Sequence, residues 1–282
     1  MKQRMITAIV AICVLVPVLI FADTFALPLG IAVCAVLAVY EMLACIGLKG
    51  SIALSAPLYC VAAVFPFLVR YLPSYRETVE SVAFAALSAI ALYYFGVLIF
   101  SHGKYRIDQI GTAFFSMTYI LIGFFGLVIV HDWVPNGEYL YLIAFIGAWV
   151  TDSFAYFCGM LLGRGGKHKL IPDVSPKKTV EGAIGGTVFC ILSMLLFGFI
   201  VEKIDPSIEA NYLLFAVAGL LIAVVSQIGD LAMSVIKRTY GIKDYGKIFP
   251  GHGGILDRFD SVIAVSIVLL VFTTFLDFFK VI

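Results

Sequence analysis

Charged residues are scarce in this sequence. Lysine, arginine, aspartate and glutamate make up 13% of the 282 residues, against 62% hydrophobic residues. The mean hydropathy of +1.06 excludes an ordinary soluble domain and is typical of a polytopic membrane protein. The sequence also shows no soluble domain, no low-complexity tail and no convincing internal repeat. The formal net charge of +1 says little about partners, and we expect no nucleic acid among them.

Cysteine pairs with metal-binding spacing are absent as well. The cysteines all lie in apolar runs, and none forms a CxxC pair. They are Cys13, Cys34, Cys45, Cys60, Cys158 and Cys190. Cysteines in such surroundings behave as small buried hydrophobes. The sequence therefore predicts neither a zinc site nor a disulfide framework.

Long apolar runs are abundant instead, and a run of about 20 residues is long enough to cross a bilayer. About nine such runs lie near residues 5–22, 25–47, 52–72, 79–100, 111–130, 139–162, 179–201, 211–236 and 256–277. The first also fits a cleavable signal peptide, because a basic start precedes a short apolar run. We expect a retained helix, since the second run follows at once. The predicted fold class is an all-α, polytopic membrane helical bundle.

The basic residues predict the orientation of this bundle. With the N-terminus inside, 15 of the 19 lysines and arginines lie on the inner side, so the positive-inside rule places the N-terminus in the cytoplasm. Ten of these 15 lie in or beside two loops, 164–178 and 238–256, that also hold candidate site residues. These ten charges either mark the topology or serve the candidate site. Both explanations place the two loops on the cytoplasmic side.

One stretch, from Ser226 to Asp260, concentrates charged side chains between two strongly apolar runs. Its first part predicts a helix, because four polar residues recur at spacings of four, four and three and so share one face. These residues are Ser226, Asp230, Ser234 and Lys237. A carboxylate, a hydroxyl and an ammonium group then point the same way.

Glycine and proline interrupt that helix at Gly241, Gly246, Pro250, Gly251, Gly253 and Gly254. Such residues mark a turning loop with exposed backbone N–H groups. Asp257 and Asp260 then open a new apolar helix, where capping explains one aspartate but not both together with Arg258. Carboxylates that face basic residues and a glycine-rich loop are the parts that hold Mg²⁺ and a polyphosphate. The alternative is a structural salt-bridge cluster at the membrane surface.

Two further carboxylates, Asp152 and Glu41, lie deep inside apolar runs. An aspartate at the position of Asp152 costs about 2.5–3.5 kcal/mol on insertion scales unless it is paired. Because Tyr156 and Gly159 continue its face, we expect Asp152 to point into the bundle and to neutralise a lysine, bind a metal or orient a polar substrate group. Glu41 is also a functional candidate by default. Lys49 lies within two turns of it, however, so we favour a structural interpretation in which Glu41 approaches the interface.

A basic loop follows the sixth span. Ser175 as N-cap and Pro176 at the first position predict a helix start. Lys177 and Lys178 then occupy its first turn, where the helix dipole disfavours cations. A polyphosphate bound at that end would reconcile the lysines with the helix, and the alternative is that they only mark topology. Three glycines line one side of the following helix and predict close packing: Gly182, Gly185 and Gly186.

Three segments in this order resemble the signature of the CDP-diacylglycerol synthase (phosphatidate cytidylyltransferase) family. The first is an intramembrane Asp-x-x-x-Tyr segment at Asp152 to Tyr156, and the second is Ser-Pro-Lys-Lys-Thr-x-Glu-Gly at Ser175 to Gly182. The third matches at Ser234, Lys237-Arg238, Lys243-Asp244, Gly246, Pro250, His252-Gly253-Gly254, Asp257-Arg258 and Asp260. The resemblance extends upstream to about Trp149, and the chain shows no departure from the pattern.

The resemblance implies that CTP and phosphatidate react to give CDP-diacylglycerol and pyrophosphate for phospholipid synthesis. It implies a homodimer in the bacterial inner (plasma) membrane, and the distribution of basic residues places the active site on the cytoplasmic side. The sequence itself predicts N-terminal transmembrane helices at 1–130, which hold five spans and little chemistry, and a C-terminal transmembrane catalytic region at 131–282. Mg²⁺ is the expected cofactor. A second, monovalent cation such as K⁺ stays open, because no residue demands one, and so does the choice between CTP and dCTP.

The expected residue roles follow from this reaction. Asp230 and Asp257 are expected to hold Mg²⁺. The expected catalytic residues are Asp230, Ser234, Lys237, Asp244, His252 and Asp257, with Asp260 supporting them. The residues expected to bind nucleotide or substrate are Asp152, Tyr156, Ser175, Lys177, Lys178, Thr179, Arg238, Lys243, Gly253, Gly254 and Arg258.

Two other classes of protein share part of these features. A related CTP-dependent enzyme that acts on a polyprenol or an ether-lipid phosphate would use the same nucleotide site. An ion-coupled transporter would also carry intramembrane aspartates and small-residue helices. The transporter would not need a long basic, glycine-rich loop on one side. A purely structural membrane protein would not require so many charges at one membrane depth.

Overall fold

The computed structural model describes residues 2–163 and 168–281. Arg164 and Lys167, which the topology prediction counts among the inner charges, lie outside the described residues, as does the first part of the predicted loop 164–178. The helices are α1 (Lys2–Ile20), α2 (Ala26–Ile46), α3 (Ile52–Tyr71), α4 (Arg76–Phe100), α5 (Ile107–Trp133), α6 (Gly137–Leu140), α7 (Leu142–Leu161), α8 (Val180–Ile204), α9 (Tyr212–Thr239) and α10 (Leu256–Phe275).

Eight helices within the described part are long and apolar enough to cross a membrane. This finding confirms the predicted all-α, polytopic class. The first and last residues of every predicted span lie within four residues of the ends of the corresponding helix. The first predicted span is helical as α1. Because α1 is not among the eight, its crossing of the membrane stays a prediction.

The chain forms two compact units. Unit 1 comprises Met1–Asp132 and Tyr240–Arg258, and unit 2 comprises Trp133–Thr239 and Phe259–Ile282. Within unit 1, α2 packs along α3 and has the fully buried side chains of Val39 and Met42. Helix α4 is peripheral: 11% of its most apolar 18-residue segment is buried inside the protein, against 67% of the corresponding segment of α5. Most of its surface therefore suits contact with lipid.

Glycines bring α7 and α8 close together in unit 2. A Cβ atom on Gly182 would lie 2.5 Å from the backbone oxygen of Ala155, and one on Gly186 would lie 2.7 Å from that of Thr151. A Cβ on Gly185 would overlap the side chain of Cys158. The prediction that these three glycines are packing residues is confirmed.

We expect Gly186→Ala to destabilise the protein by about 1–3 kcal/mol, because its methyl group would force the backbones of α7 and α8 apart. Thermal unfolding in detergent measures this change. Gly96→Ala is the matched control, since a Cβ on Gly96 of α4 would meet nothing within 4 Å and alanine is a better helix former than glycine. Equal unfolding temperatures for the two variants would contradict the close-packing interpretation.

Two short antiparallel sheets accompany the helices of unit 2. Strand β1 (Lys169–Ile171) pairs with β2 (Ser175–Thr179), and β3 (Ile208–Ala210) pairs with β4 (Phe279–Val281). In the second sheet, Glu209 is opposite Lys280. The apolar pattern predicts none of these strands, because each is too short to give a periodic signal.

The predicted helix start at Ser175 and Pro176 is wrong. Residues 175–179 form strand β2, and α8 begins at Val180, whose amide donates to the carbonyl of His168. Thr179 is the N-cap: its backbone is extended, and its Oγ1 accepts a hydrogen bond from the amide of Gly182 at 3.1 Å. Residues 175–179 pair with β1 instead of starting the helix, and threonine is among the preferred N-cap residues.

Lys177 and Lys178 therefore lie in β2 rather than in the first turn of a helix. The argument that a polyphosphate must offset their conflict with the helix dipole is lost. Successive side chains of the strand point to opposite faces, and accordingly Lys177 is exposed and Lys178 is half-buried. The two lysines therefore differ in face and in solvent exposure.

Candidate active site

Asp230 lies on the polar face of α9 in unit 2. Its Oδ2 atom pairs with Nζ of Lys178 in β2 at 2.5 Å. The hydroxyl of Ser234 donates to Oδ1 over 3.4 Å. The predicted common face is confirmed, because Ser226, Ser234 and Lys237 are all buried on this helix. Asp230 is thus held between a strand lysine and a hydroxyl one turn along its own helix.

Asp260, in the first turn of α10, adds a buried carboxylate to unit 2. It is 8% exposed, and its Oδ1 accepts a hydrogen bond from the amide of Ser261 at 2.9 Å. It interacts electrostatically with Asp230, Asp152 and Lys237. The hydroxyl of Ser261 donates to Oδ2 of Asp152 on α7 at 3.1 Å. Helix α10 therefore connects the carboxylates of α7 and α9.

We call Asp152, Asp230 and Asp260, with Lys178 and Lys237, the carboxylate cluster. It has three carboxylates and two ammonium groups. Carboxylates that leave water are costly unless positive charge compensates them. A bound cation would lower the cost of keeping these carboxylates close together.

The donor set of the cluster fits Mg²⁺. Among residues 2–163 and 168–281, no three His, Cys, Asp or Glu side chains lie close enough to hold a metal by themselves. Mg²⁺ usually takes only one or two protein carboxylates and completes its shell with water and phosphate oxygens. Asp230 and Asp260 supply carboxylates of that kind. The predicted partner Asp257 belongs to unit 1, so the pairing of Asp230 with Asp257 on one ion stays a prediction.

The environment of Asp152 combines pairing with exposure. Its hydrogen bond to Ser261 supplies the pairing that an aspartate in an apolar helix needs. Residue 152 is exposed, yet its Oδ2 contacts Ser261 of α10, so the side chain faces a neighbouring helix of the bundle without being buried there. Tyr156, one turn along, is 66% exposed, and its ring contacts Phe157 with a centroid distance of 5.6 Å.

Asp257 organises the glycine loop of unit 1, which we define as residues 245–256. Its Oδ2 atom accepts the amide of Tyr245 at 2.8 Å and the amide of Gly254 at 2.9 Å. Gly253 has φ of +87°, and a Cβ there would lie 2.6 Å from the same Oδ2. Only glycine fits this position without strain. Asp257 therefore ties both ends of the loop together.

Glu41 of α2 also holds this loop, which the sequence interpretation missed. Its Oε1 accepts the amide of Ile255 at 3.0 Å, and its Oε2 accepts the amide of Leu256 at 2.9 Å. The expected approach to the interface is wrong, since Glu41 is 1% exposed and Nζ of Lys49 lies over the ring of Tyr40 instead. The cost of a carboxylate in an apolar helix was the signal that could have identified it.

The other predicted residues vary in burial. In unit 2, Thr179 is buried, Ser175 is half-buried and Arg238 is exposed. In unit 1, Lys243, Asp244 and Arg258 are exposed and His252 is half-buried. Within the described chain, the buried Nδ1 atom of His252 has no hydrogen-bond partner, and the same is true of the Ser226 hydroxyl. The structure thus brings Lys178, Asp230 and Ser234 together in unit 2, and Gly253, Gly254 and Asp257 together in unit 1.

Comparison with known proteins identifies the family. The model of a family described as "Cytidylyltransferase family" matches residues 2–276. The chain belongs to the cytidylyltransferase family. It is 32% identical over 262 residues to a protein named phosphatidate cytidylyltransferase from Staphylococcus haemolyticus, covering 93% of this chain and 94% of the relative. A protein of the same name from Staphylococcus aureus (strain COL) is 33% identical over 267 residues, with the same coverage of both chains.

Membership of the cytidylyltransferase family makes this protein a nucleotidyltransferase. Its apolar helices and its bacterial relatives make it an integral membrane protein. Nucleotidyl transfer brings anions together and releases an anion, so it calls for charged side chains such as the lysines and aspartates described above. Basic side chains neutralise phosphate charge, and carboxylates hold the metal ions that accompany nucleotides.

Proposed function

We propose that this cytidylyltransferase transfers CMP from CTP to phosphatidate. A phosphate oxygen of phosphatidate attacks the α-phosphorus of CTP, the bond from that phosphorus to the bridging oxygen breaks, and pyrophosphate leaves. The products are CDP-diacylglycerol, an activated lipid for phospholipid synthesis, and pyrophosphate. The names of the relatives support this substrate pair. The carboxylate cluster, in a chain of membrane-spanning helices, is the observation that carries the proposal.

The residues suit a reaction that depends on charge neutralisation. The attacking phosphate oxygen is already anionic, so no strong general base is needed. Positioning and electrostatic stabilisation should therefore dominate catalysis. Lys178 and Lys237 of the carboxylate cluster are proposed to neutralise phosphate charge. The exposed basic residues Lys177, Arg238 and Lys243 are proposed to bind nucleotide with them.

Mg²⁺ is the proposed cofactor. Asp230 would hold it, together with a second carboxylate from Asp260 or from Asp257. When bound, the ion would neutralise charge on the nucleotide phosphates. Asp152 is proposed to orient a polar substrate group through the same cluster. A monovalent cation such as K⁺ beside Mg²⁺ stays open.

We further propose a homodimer in the bacterial inner membrane, with the active site facing the cytoplasm, where nucleotides are. The support for this orientation is the positive-inside distribution of lysine and arginine. The proposed arrangement places the loops 164–178 and 238–256 on the cytoplasmic side. Labelling of single cysteines in those loops of intact cells, before and after permeabilisation, tests the orientation.

The central test is pyrophosphate release by the purified protein in detergent. We expect release with CTP or dCTP plus phosphatidate, little with ATP, GTP or UTP, and none when EDTA removes Mg²⁺. Release with CTP only when phosphatidate is replaced by a polyprenol or an ether-lipid phosphate would identify a different acceptor. Solute uptake into sealed vesicles without CTP, from folded protein that releases no pyrophosphate, would replace the proposal by a transporter.

A further inference from the structure

Glu41 caps a helix to which it does not belong. The first amides of a helix have no partner within that helix. At the start of α10, the amides of Ile255 and Leu256 donate to the two oxygens of Glu41, at 3.0 and 2.9 Å. Glu41 lies on α2, more than 200 residues earlier in the chain. A carboxylate at a helix N-terminus also interacts favourably with the helix dipole, so this contact fixes where α10 begins.

The glycine loop is shaped around that carboxylate. A Cβ atom on Gly246 or on Gly254 would overlap the carboxylate of Glu41. Both positions therefore need the absence of a side chain because Glu41 is there, not because of their backbone angles. The isolated bridge between Phe249 and Gly253 completes an ordered loop. The loop and Glu41 thus fit each other as one packed unit.

Asp257 depends on this arrangement. Its Oδ2 accepts the amides of Tyr245 and Gly254, which directly precede Gly246 and Ile255 at the Glu41 contact. Two buried carboxylates therefore take four amides from a single loop, and each fixes the positions of the donors that the other uses. If Glu41 no longer held Ile255 and Leu256, the side chain of Asp257 would lose its fixed orientation.

We propose that Glu41 is a positioning residue of the active site, which acts by holding the glycine loop and, through it, Asp257. The proposal rests on the proposed function for its kinetic consequence. Its structural consequence, the protection of the loop amides in the substrate-free protein, is independent of that function. The two consequences are measured separately.

Glu41→Gln is the sharpest test, because glutamine has the same shape but only one accepting oxygen. Its NH₂ group would face one of the two amide donors. We expect hydrogen exchange in residues 245–256 of the substrate-free protein to become about tenfold or more faster. We expect kcat to fall about 10–100-fold, with the KM for phosphatidate changed less than twofold. Glu77→Gln, at an exposed glutamate in the first turn of α4, is the matched control.

The outcomes separate the two proposals. A wild-type protein without activity on CTP and phosphatidate would end the proposed function, and the exchange measurement would still decide whether Glu41 holds the loop. Unchanged exchange in Glu41→Gln would overturn the present inference. A lowered unfolding temperature with wild-type kcat would overturn it too, because Glu41 would then be only structural. If Glu41→Gln does not fold, Glu41→Asp keeps the charge with a shorter reach, and wild-type kcat and exchange in that variant would equally overturn it.

Discussion

Asp230→Asn is expected to lower kcat about 100-fold or more, the size of effect found when one preorganised electrostatic group is removed. The substitution keeps the shape of the side chain but removes the charge that pairs with Lys178 at 2.5 Å. It also removes a proposed Mg²⁺ ligand, so the Mg²⁺ concentration for half-maximal activity should rise. Pyrophosphate release across a Mg²⁺ titration measures both effects. Asp277→Asn, at an exposed aspartate beyond the far end of α10, is the control.

A double variant distinguishes a catalytic role of Asp230 from a structural one. If the ion pair with Lys178 only stabilised the fold, Asp230→Asn combined with Lys178→Met would remove both charges and restore activity. We expect no restoration, because both groups are proposed to act on phosphates or metal. Asp230→Asn with more than half of the wild-type activity at low Mg²⁺ would exclude Asp230 as a metal ligand.

The membrane helices were predictable because their signal is local. A run of about 20 apolar residues is required to cross a bilayer, so hydropathy alone locates α2 to α5 and α7 to α10 to within a few residues. The common face of Ser226, Asp230, Ser234 and Lys237 was equally predictable, since helix periodicity fixes it once the helix is known. Such features need no knowledge of what packs where.

Competing local signals explain the error at the start of α8. Ser175-Pro176 and Thr179 both satisfy the rules for a helix N-terminus. Residues 175–179 form a strand instead because they pair with β1, with Ser175 opposite Ile171 and Thr179 opposite Lys169. Strand β1 has three residues, too few for an alternation pattern to predict it.

Glu41 could not be placed from the sequence because its partners are distant and are backbone groups. Nearly every residue type carries a backbone amide, so a sequence motif cannot record the contacts of Glu41 with Ile255 and Leu256. The matching signal lies in Gly246 and Gly254, whose missing side chains make room for the carboxylate. A motif presents those glycines as features of a turn, and only the fold shows what fills the space.

Asp257→Asn separates the loop-holding contacts of Asp257 from its proposed role in the metal site. One oxygen of Asp257 already accepts two amides, from Tyr245 and Gly254. The amide oxygen of asparagine can occupy the same position and accept both, so the loop should keep its shape. The negative charge is lost, however, and with it the proposed contribution to the metal site. We therefore expect kcat to fall about 100-fold or more while the unfolding temperature stays close to that of the wild type.

Asp257→Ala removes the acceptor as well as the charge. Two buried amides then lose their partner, at a cost of about 1–3 kcal/mol each, so this variant should also unfold at a clearly lower temperature. Equal unfolding temperatures for the alanine and asparagine variants would show that the two amide bonds do not hold the loop. Wild-type activity in Asp257→Asn would remove Asp257 from the metal site and leave it only the loop. The difference between the two variants therefore measures the structural role, and the activity of the asparagine variant alone measures the chemical one.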